Sequence, residues 1–185
     1  MSRPLTRRPG ALATLLLGVA LALPASLSGQ AAPDLTDAEV AHVAVTANAV
    51  DIDLARVAQQ RAQAESVRRF AGTMIADHSA VNEQAAALAG RLGVTPADNA
   101  VSQSLNEGAA AARAALDATR GRAFDRAYID REVAYHQAVL DAIDTVLVPT
   151  TSNDELRALL TAVRPAIAAH LEHARSIRAS LGAGS

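Results

Sequence analysis

The sequence predicts an all-α protein whose long helices form a four-helix bundle. Apolar residues recur at spacings of three and four through almost all of residues 36–181, which is the period of an amphipathic helix. The segments Thr36–Glu39 and Ser152–Glu155 read as capping boxes that open helices. The alternating apolar and polar pattern of a β-strand is absent. Four such helices with a long second connection indicate a bundle with a helix-containing crossover between its second and third helices.

The individual helices follow from the spacing of the apolar residues and from Gly and Pro. Gly93 is a natural stop for the second helix, and Pro149 should end the third. Pro165 lies inside the fourth helix and is expected to kink it. The predicted ranges are 36–61, 65–92, a short crossover helix over 101–118, then 122–147 and 152–181.

The first 31 residues have the three-part pattern of a secretory signal peptide. Arginines at positions 3, 7 and 8 precede an apolar run over 11–23, and small residues follow as far as Ala31. The apolar run is shorter than the roughly 20 residues that span a bilayer, so cleavage after Ala31 is favoured over a membrane anchor. We therefore expect a signal peptide over 1–31 and a single domain over 32–185. This places the mature protein in the periplasm or outside the cell, with no membrane span.

Composition limits the classes of function. The chain has 185 residues and no cysteine, which excludes disulfides and thiolate chemistry. Without the three signal arginines, 14 basic residues face 19 acidic ones, a net charge of −5 that argues against a nucleic-acid partner. Two Phe and two Tyr are too few aromatic residues for a surface on which nucleic-acid bases or sugars could stack. The sequence leaves open whether the chain forms a homo-oligomer.

Each apolar stripe contains a polar residue that should face the core. These residues are Asp51, His78, His136 and His170, one from each long helix. Because a buried polar atom without a partner costs roughly 1–3 kcal/mol, each of them should find one. The simpler interpretation is structural hydrogen bonding, and the alternative is a transition-metal site built from imidazoles and carboxylates.

The expected levels of these polar residues along the bundle axis favour two separate pairs. If the first two helices fold back about residue 64, Asp51 lies level with His78, and we expect these two to form a buried pair. If the last two fold back about residue 150, His170 lies level with Asp130, near Tyr128 and Glu132, and could pair with either of these two. His136 and His170 would then be offset by six residues, or roughly 9 Å along the helix axis. That offset argues against one compact site.

For the metal alternative, the expected ligands lie on the third and fourth helices. His170 and His173 are three residues apart on one helix face and can reach one ion together. Glu132 or Asp125 would complete the site, and His136 would join only if the Pro165 kink shifts the fourth helix. Imidazole ligands favour Zn, Fe or Cu, and binding should weaken below about pH 6 as the histidines protonate.

Three segments together resemble the family known as "domain of unknown function 4142". They are Phe70–His78 with Asn82, Phe124–Tyr128 with His136, and Pro165 with His170, Leu171 and Ala174. The resemblance covers about residues 38–179. It implies an exported, bacterial protein with a ferritin-like fold, no established activity, and His78, His136 and His170 as characteristic polar positions. In this chain Asp51 stands where the family usually has Glu.

These observations favour a non-enzymatic structural or binding protein with buried Asp–His pairs over an enzyme. No Ser-His-Asp arrangement, zinc-protease motif or Gly-rich phosphate loop is present. The Glu-x-x-His pairs of ferritin-like iron oxidases are also missing, so a ferroxidase activity has no ligand set. The alternative function is a periplasmic protein that binds a transition metal through core His and carboxylate side chains.

Overall fold

A computed structural model describes residues 34–183, and over that range the protein is helical without any β-strand. The predicted all-α class is therefore confirmed. The predicted signal peptide lies outside the described residues. Within the described range, no helix combines the length and the apolar character needed to cross a membrane.

The first three helices begin and end close to the predicted residues. Helix α1 covers Asp37–Arg61 and opens with the expected capping box, in which the Thr36 hydroxyl and the Glu39 carboxylate each accept a backbone N–H. Helix α2 covers Glu65–Leu92 and ends at Gly93, whose φ of 64° is left-handed and suits glycine. Helix α3, Ala100–Asp117, lies in the connection between α2 and α4.

The third long helix extends past its predicted end. Helix α4, Gly121–Ala142, continues through a π-helical segment, Ile143–Leu147, and a short helix α5, Val148–Thr150. A proline inside an α-helix clashes with the carbonyl four residues earlier. The wider π-helical turn spaces its hydrogen bonds five residues apart and allows the helix to continue past Pro149. The chain consequently reverses direction a few residues later than expected.

The start of the last helix differs by one residue from the predicted capping box. The Asn153 side chain, rather than that of Ser152, accepts the N–H groups of Glu155 and Leu156, both at 3.0 Å. The backbone N–H groups of Ser152 and Asn153 donate to the Asp37 carboxylate at 2.8 and 3.0 Å. Asp37 thus holds this turn in place from the start of α1.

The last helix, α6, runs from Asp154 to Ala183 without interruption at Pro165. Contacts link α1 with α2, α2 with α6, α6 with α4 and α4 with α1, so the four long helices close into a ring. Helix α3 packs on the outside of this ring, mainly against α1.

The core consists of two apolar clusters separated by a polar layer. One cluster contains Phe70, Met74 and Tyr128, and the other contains Leu88 and Leu160. Asp51 on α1, His78 on α2 and His136 on α4 lie in sequence between residues of the two clusters, and His170 on α6 lies close to the boundary between them. The polar layer consists of Asn48, Asp51, His78, Arg131, Glu132, His136 and His170.

Candidate metal centre

Three histidines from three helices meet in the polar layer. His78 lies on α2, His136 on α4 and His170 on α6, with exposed fractions of 4, 1 and 6%. Their ring centroids are 5.4 to 5.7 Å apart. One nitrogen from each ring lies within 4.8 Å of the other two. This spacing would let a single ion contact all three rings after small side-chain adjustments.

The hydrogen bond of His78 determines which of its nitrogens carries the proton. The Asn48 side-chain amide donates to the Asn82 carbonyl oxygen at 2.9 Å, which orients Asn48 with its own oxygen toward His78. His78 Nδ1 lies 2.8 Å from that oxygen and must be the donor. In the neutral form of the ring His78 Nε2 then has the free lone pair, and it has no hydrogen-bond partner within residues 34–183.

The other two histidines are held in the same way. His136 Nδ1 donates to the backbone carbonyl of Glu132 at 3.0 Å, and His170 Nε2 donates to the Asp77 carboxylate at 2.9 Å. The second nitrogens, His136 Nε2 and His170 Nδ1, are buried and have no hydrogen-bond partner. Each ring is thus fixed by an acceptor on one side and has an unused lone pair on the other. Histidines that bind metals are oriented in this manner.

Burial favours the neutral form of two of the three rings. Desolvation lowers the pKa of His136 to about 4, although the nearby Asp51 charge acts in the opposite direction. Desolvation also lowers the pKa of His170, although the hydrogen bond that this ring donates to Asp77 acts in the opposite direction. Neutral imidazole is the form that binds metal ions, so these two rings are ready to act as ligands at neutral pH.

A buried charge network adjoins the cluster on the side of α1. The Arg131 guanidinium donates to Asp51 and, at 2.6 Å, to Glu132. Burial would raise the pKa of Asp51, but Arg131 outweighs it and holds that pKa below its usual range. Burial and the Asp51 charge raise the pKa of Glu132 well above its usual range. Asp51 is therefore ionised and balanced by Arg131, and the network shifts the pKa values of its two carboxyl groups in opposite directions.

A second group, Asp51, Glu132 and His136, also has ligand atoms within 4.8 Å of one another. Arg131 contacts both carboxyl groups and already supplies the cation between them. Its pKa lies above its usual value because Glu132 and Asp51 outweigh the effect of burial, so it stays charged. A metal ion placed between the same two carboxyl groups would be repelled by this guanidinium.

Two of the five predicted metal ligands lie outside the cluster. Asp125 is buried elsewhere, where its carboxylate accepts the backbone N–H groups of Gln63 and Ala64. His173 is exposed, and its ring packs edge-on against Phe70 at a centroid distance of 5.3 Å. Three residues rotate the helix by about 300°, which leaves the His173 side chain about 60° away from the direction of His170 and outside the core. Of the rest, His136 and His170 join the cluster, and Glu132 lies beside it.

The predicted polar pairs are rearranged as well. Asp51 and His78 are in contact, with 3.2 Å between Oδ2 and Nε2, but neither atom has a hydrogen-bond partner. His170 bonds Asp77 on α2 rather than Glu132 or Tyr128. The Tyr128 hydroxyl is buried without a partner, and desolvation raises its pKa well above the usual value.

The expected offset between His136 and His170 does not occur. Their centroids are 5.5 Å apart because the chain reverses about residue 153, midway between them, rather than about residue 150. The π-helical segment and α5 supply the extra length. The two predicted pairs therefore merge into one compact site.

Arg131 and Asn48 are site residues that sequence reasoning missed. Arg131 continues the spacing of four, three and four set by the buried aromatic residues Phe124, Tyr128 and Tyr135, which marks it as a core position. Its guanidinium lies 3.9 Å above the Tyr135 ring. Asn48 lies one turn before Asp51 on α1, and no sequence signal distinguishes it from a surface residue.

Comparison with known proteins agrees with the fold. No curated protein matches the sequence. The fold is similar to a solved structure described as "CopM in the Cu(II)-bound form", with a TM-score of 0.60 at 16% identity, covering 79% of this chain and 97% of that one. The profile of the family described as "Domain of unknown function (DUF4142)" matches residues 22–177. The chain therefore belongs to the DUF4142 family.

Proposed function

We propose that this chain is an exported protein that binds one divalent transition-metal ion, copper(II) foremost, between His78, His136 and His170. One observation carries the proposal. Three buried histidines on three helices each have one nitrogen without a hydrogen-bond partner among the described residues, and one nitrogen of each ring lies within 4.8 Å of those of the other two. An ion at their centre would satisfy all three.

A purely structural role explains only one of the two nitrogens in each ring. In each of these histidines one nitrogen is hydrogen-bonded, as in any buried structural histidine. Burying the second nitrogen unsatisfied costs about 1–3 kcal/mol. Three such atoms in one layer amount to a sizeable fraction of the 5–15 kcal/mol that keeps a domain folded. A metal ion converts this cost into binding free energy.

Copper(II) and zinc fit the ligand set better than the other metals. Imidazole suits Zn, Cu, Fe and Ni, and among divalent ions Cu²⁺ binds a given nitrogen site most tightly. Three histidines with a fourth position left over also describe a common zinc arrangement. The similarly folded CopM, described in a Cu(II)-bound form, supports copper as the first candidate.

Binding, rather than catalysis, is the activity that these residues support. We place the mature protein in the periplasm or outside the cell because of the signal-peptide pattern over 1–31. The ring of α1, α2, α4 and α6, with α3 in the crossover, supports assignment as a ferritin-like four-helix bundle. A bundle core is a frequent place for metal sites built from facing helices.

Calorimetric titration of metal-stripped protein with Cu²⁺ and Zn²⁺ tests the proposal. Native protein should bind one ion per chain, and His136→Ala should weaken binding by about 100-fold or more, since loss of a residue that only orients a ligand already costs about 10- to 100-fold. His173→Ala is the matched control, because His173 lies on α6 outside the cluster and should leave binding unchanged. Absence of binding by native protein, or equal binding by a folded His136→Ala variant, would overturn the proposal.

A further inference from the structure

We infer that Asp51 is the fourth ligand of this ion, so that the site presents three imidazole nitrogens and one carboxylate oxygen. The inference rests on the proposed function and adds a residue to it. A carboxylate ligand also determines which oxidation state of copper the site prefers.

The contact between Asp51 and His78 is unusual for two side chains that are not hydrogen-bonded. Asp51 Oδ2 lies 3.2 Å from His78 Nε2, and both atoms are buried without a hydrogen-bond partner. The proton of His78 is on the opposite nitrogen, Nδ1, because that nitrogen donates to Asn48. In the neutral ring, two atoms with lone pairs therefore face each other in the core, and a cation between them, either a metal ion or a second ring proton, removes the repulsion.

The distance also suits shared coordination. Ligands around a tetrahedral ion with bond lengths of about 2.0–2.1 Å lie about 3.3 Å from one another. The 3.2 Å between Asp51 Oδ2 and His78 Nε2 is close to that edge length. Asp51 and His78 can therefore bind one ion, and the Asp51 side chain must move to join the three ring nitrogens, because it lies outside their group of ligand atoms within 4.8 Å.

Arg131 holds the Asp51 carboxylate in the orientation that coordination requires. The guanidinium bonds Oδ1 and leaves Oδ2 free toward His78. Carboxylates that bind metals are themselves oriented by hydrogen bonds of this kind. Arg131 acts here as a positioning residue.

Glu132 is the contrasting case in the same layer. Its Oε2 lies 3.4 Å from His136 Nδ1, the nitrogen that carries the proton and donates to the Glu132 carbonyl. Glu132 therefore faces the protonated side of its histidine, whereas Asp51 faces the lone-pair side of His78. Two buried carboxyl groups beside one arginine thus have different roles, and Glu132 is not a ligand.

An anionic oxygen ligand determines which metal ions the site prefers. Carboxylate oxygen favours divalent ions, whereas soft sulfur ligands are those that select Cu⁺. The polar layer offers no sulfur, since the chain has no cysteine and Met74 lies in the apolar cluster with Phe70. The site should accordingly discriminate in favour of Cu²⁺ and Zn²⁺ over Cu⁺.

Electron paramagnetic resonance of the Cu²⁺-loaded protein, with parallel titrations, tests this inference. Asp51→Asn removes the charge while keeping the size of the side chain, and Glu132→Gln is the matched control. Asp51→Asn should weaken Cu²⁺ and Zn²⁺ binding by about 10- to 100-fold or more and should change the copper g and hyperfine values. Its Cu⁺ affinity, measured by competition with bicinchoninate, should be unchanged or higher. Glu132→Gln should give the native spectrum.

A measurement on native protein avoids dependence on the folding of a variant. In protein labelled with ¹³C-carboxyl aspartate, pulsed double resonance should detect a carboxylate carbon coupled to Cu²⁺. Failure of native protein to bind Cu²⁺ would remove the proposed function together with this inference. Binding by native protein with no ¹³C coupling, or with an Asp51→Asn spectrum and affinity equal to native, would overturn the assignment of Asp51 alone.

Discussion

Replacement of Asp125 by alanine should destabilise the protein without affecting metal binding. The Asp125 carboxylate is 1% exposed and accepts the backbone N–H groups of Gln63 and Ala64 at 2.9 and 2.8 Å, which fixes the turn between α1 and α2. Hydrogen bonds to a charged group contribute about 1.5–3 kcal/mol each. Because this turn is only partly buried, we take the lower value for each bond and expect a loss of about 3 kcal/mol.

Urea denaturation followed by circular dichroism measures this loss, with an unchanged m value as the sign that only stability has changed. Asp53→Ala is the matched control, since Asp53 is an exposed acid on α1 that pairs only with Arg56. It should change the free energy of unfolding by no more than about 0.5 kcal/mol. A loss below about 1 kcal/mol for Asp125→Ala, or a large decrease in its Cu²⁺ affinity, would show that the role assigned to Asp125 is mistaken.

Three further predictions concern the polar layer of the metal-stripped protein. The pKa of His136 falls from 6.5 to about 4 on folding, so between these pH values the unfolded chain binds a proton that the folded chain does not. Acidification from pH 6.5 to 4 should therefore lower the free energy of unfolding of native protein by about 3 kcal/mol more than that of His136→Gln, as measured by denaturation at a series of pH values. Arg131→Met should lose about 3–5 kcal/mol at pH 7 by urea denaturation, because it leaves the Asp51 charge buried and unpaired; a loss under 1 kcal/mol would exclude that charge. A double-mutant cycle on Asp51→Ala and His78→Ala should give a coupling free energy of at least about 0.5 kcal/mol, and simple additivity would contradict their contact.

The sequence predicted the helices because their signals are local. The capping box at Thr36, the left-handed Gly93 and the apolar periodicity each depend on a few neighbouring residues, and α1 to α3 match the predicted bounds within about a residue. The end of α4 was missed because a π-helical turn beside Pro149 has no clear sequence signal. Local physics therefore determines where the helices lie but not how far each one slides along its neighbour.

The geometry of the site depends on the axial position of α6 relative to α4. The four polar residues on the apolar stripes were identified from sequence, but a reversal point three residues later changes the relative level of His136 and His170 by six residues. With the earlier reversal point the polar residues would form two isolated pairs, whereas with the later one they form a single cluster. Arg131 was missed for another reason: buried arginines are rare unless paired, and its partner Asp51 is 80 positions away in the chain.

Crystals grown with one equivalent of Cu²⁺ and measured at the copper absorption edge would test the central claim most directly. We expect one anomalous peak per chain, about 2.0–2.1 Å from His78 Nε2, His136 Nε2 and His170 Nδ1. Asp51 Oδ2 should complete the coordination. A peak at the exposed His173, or no peak among the three buried rings in crystals shown to contain copper, would contradict the account.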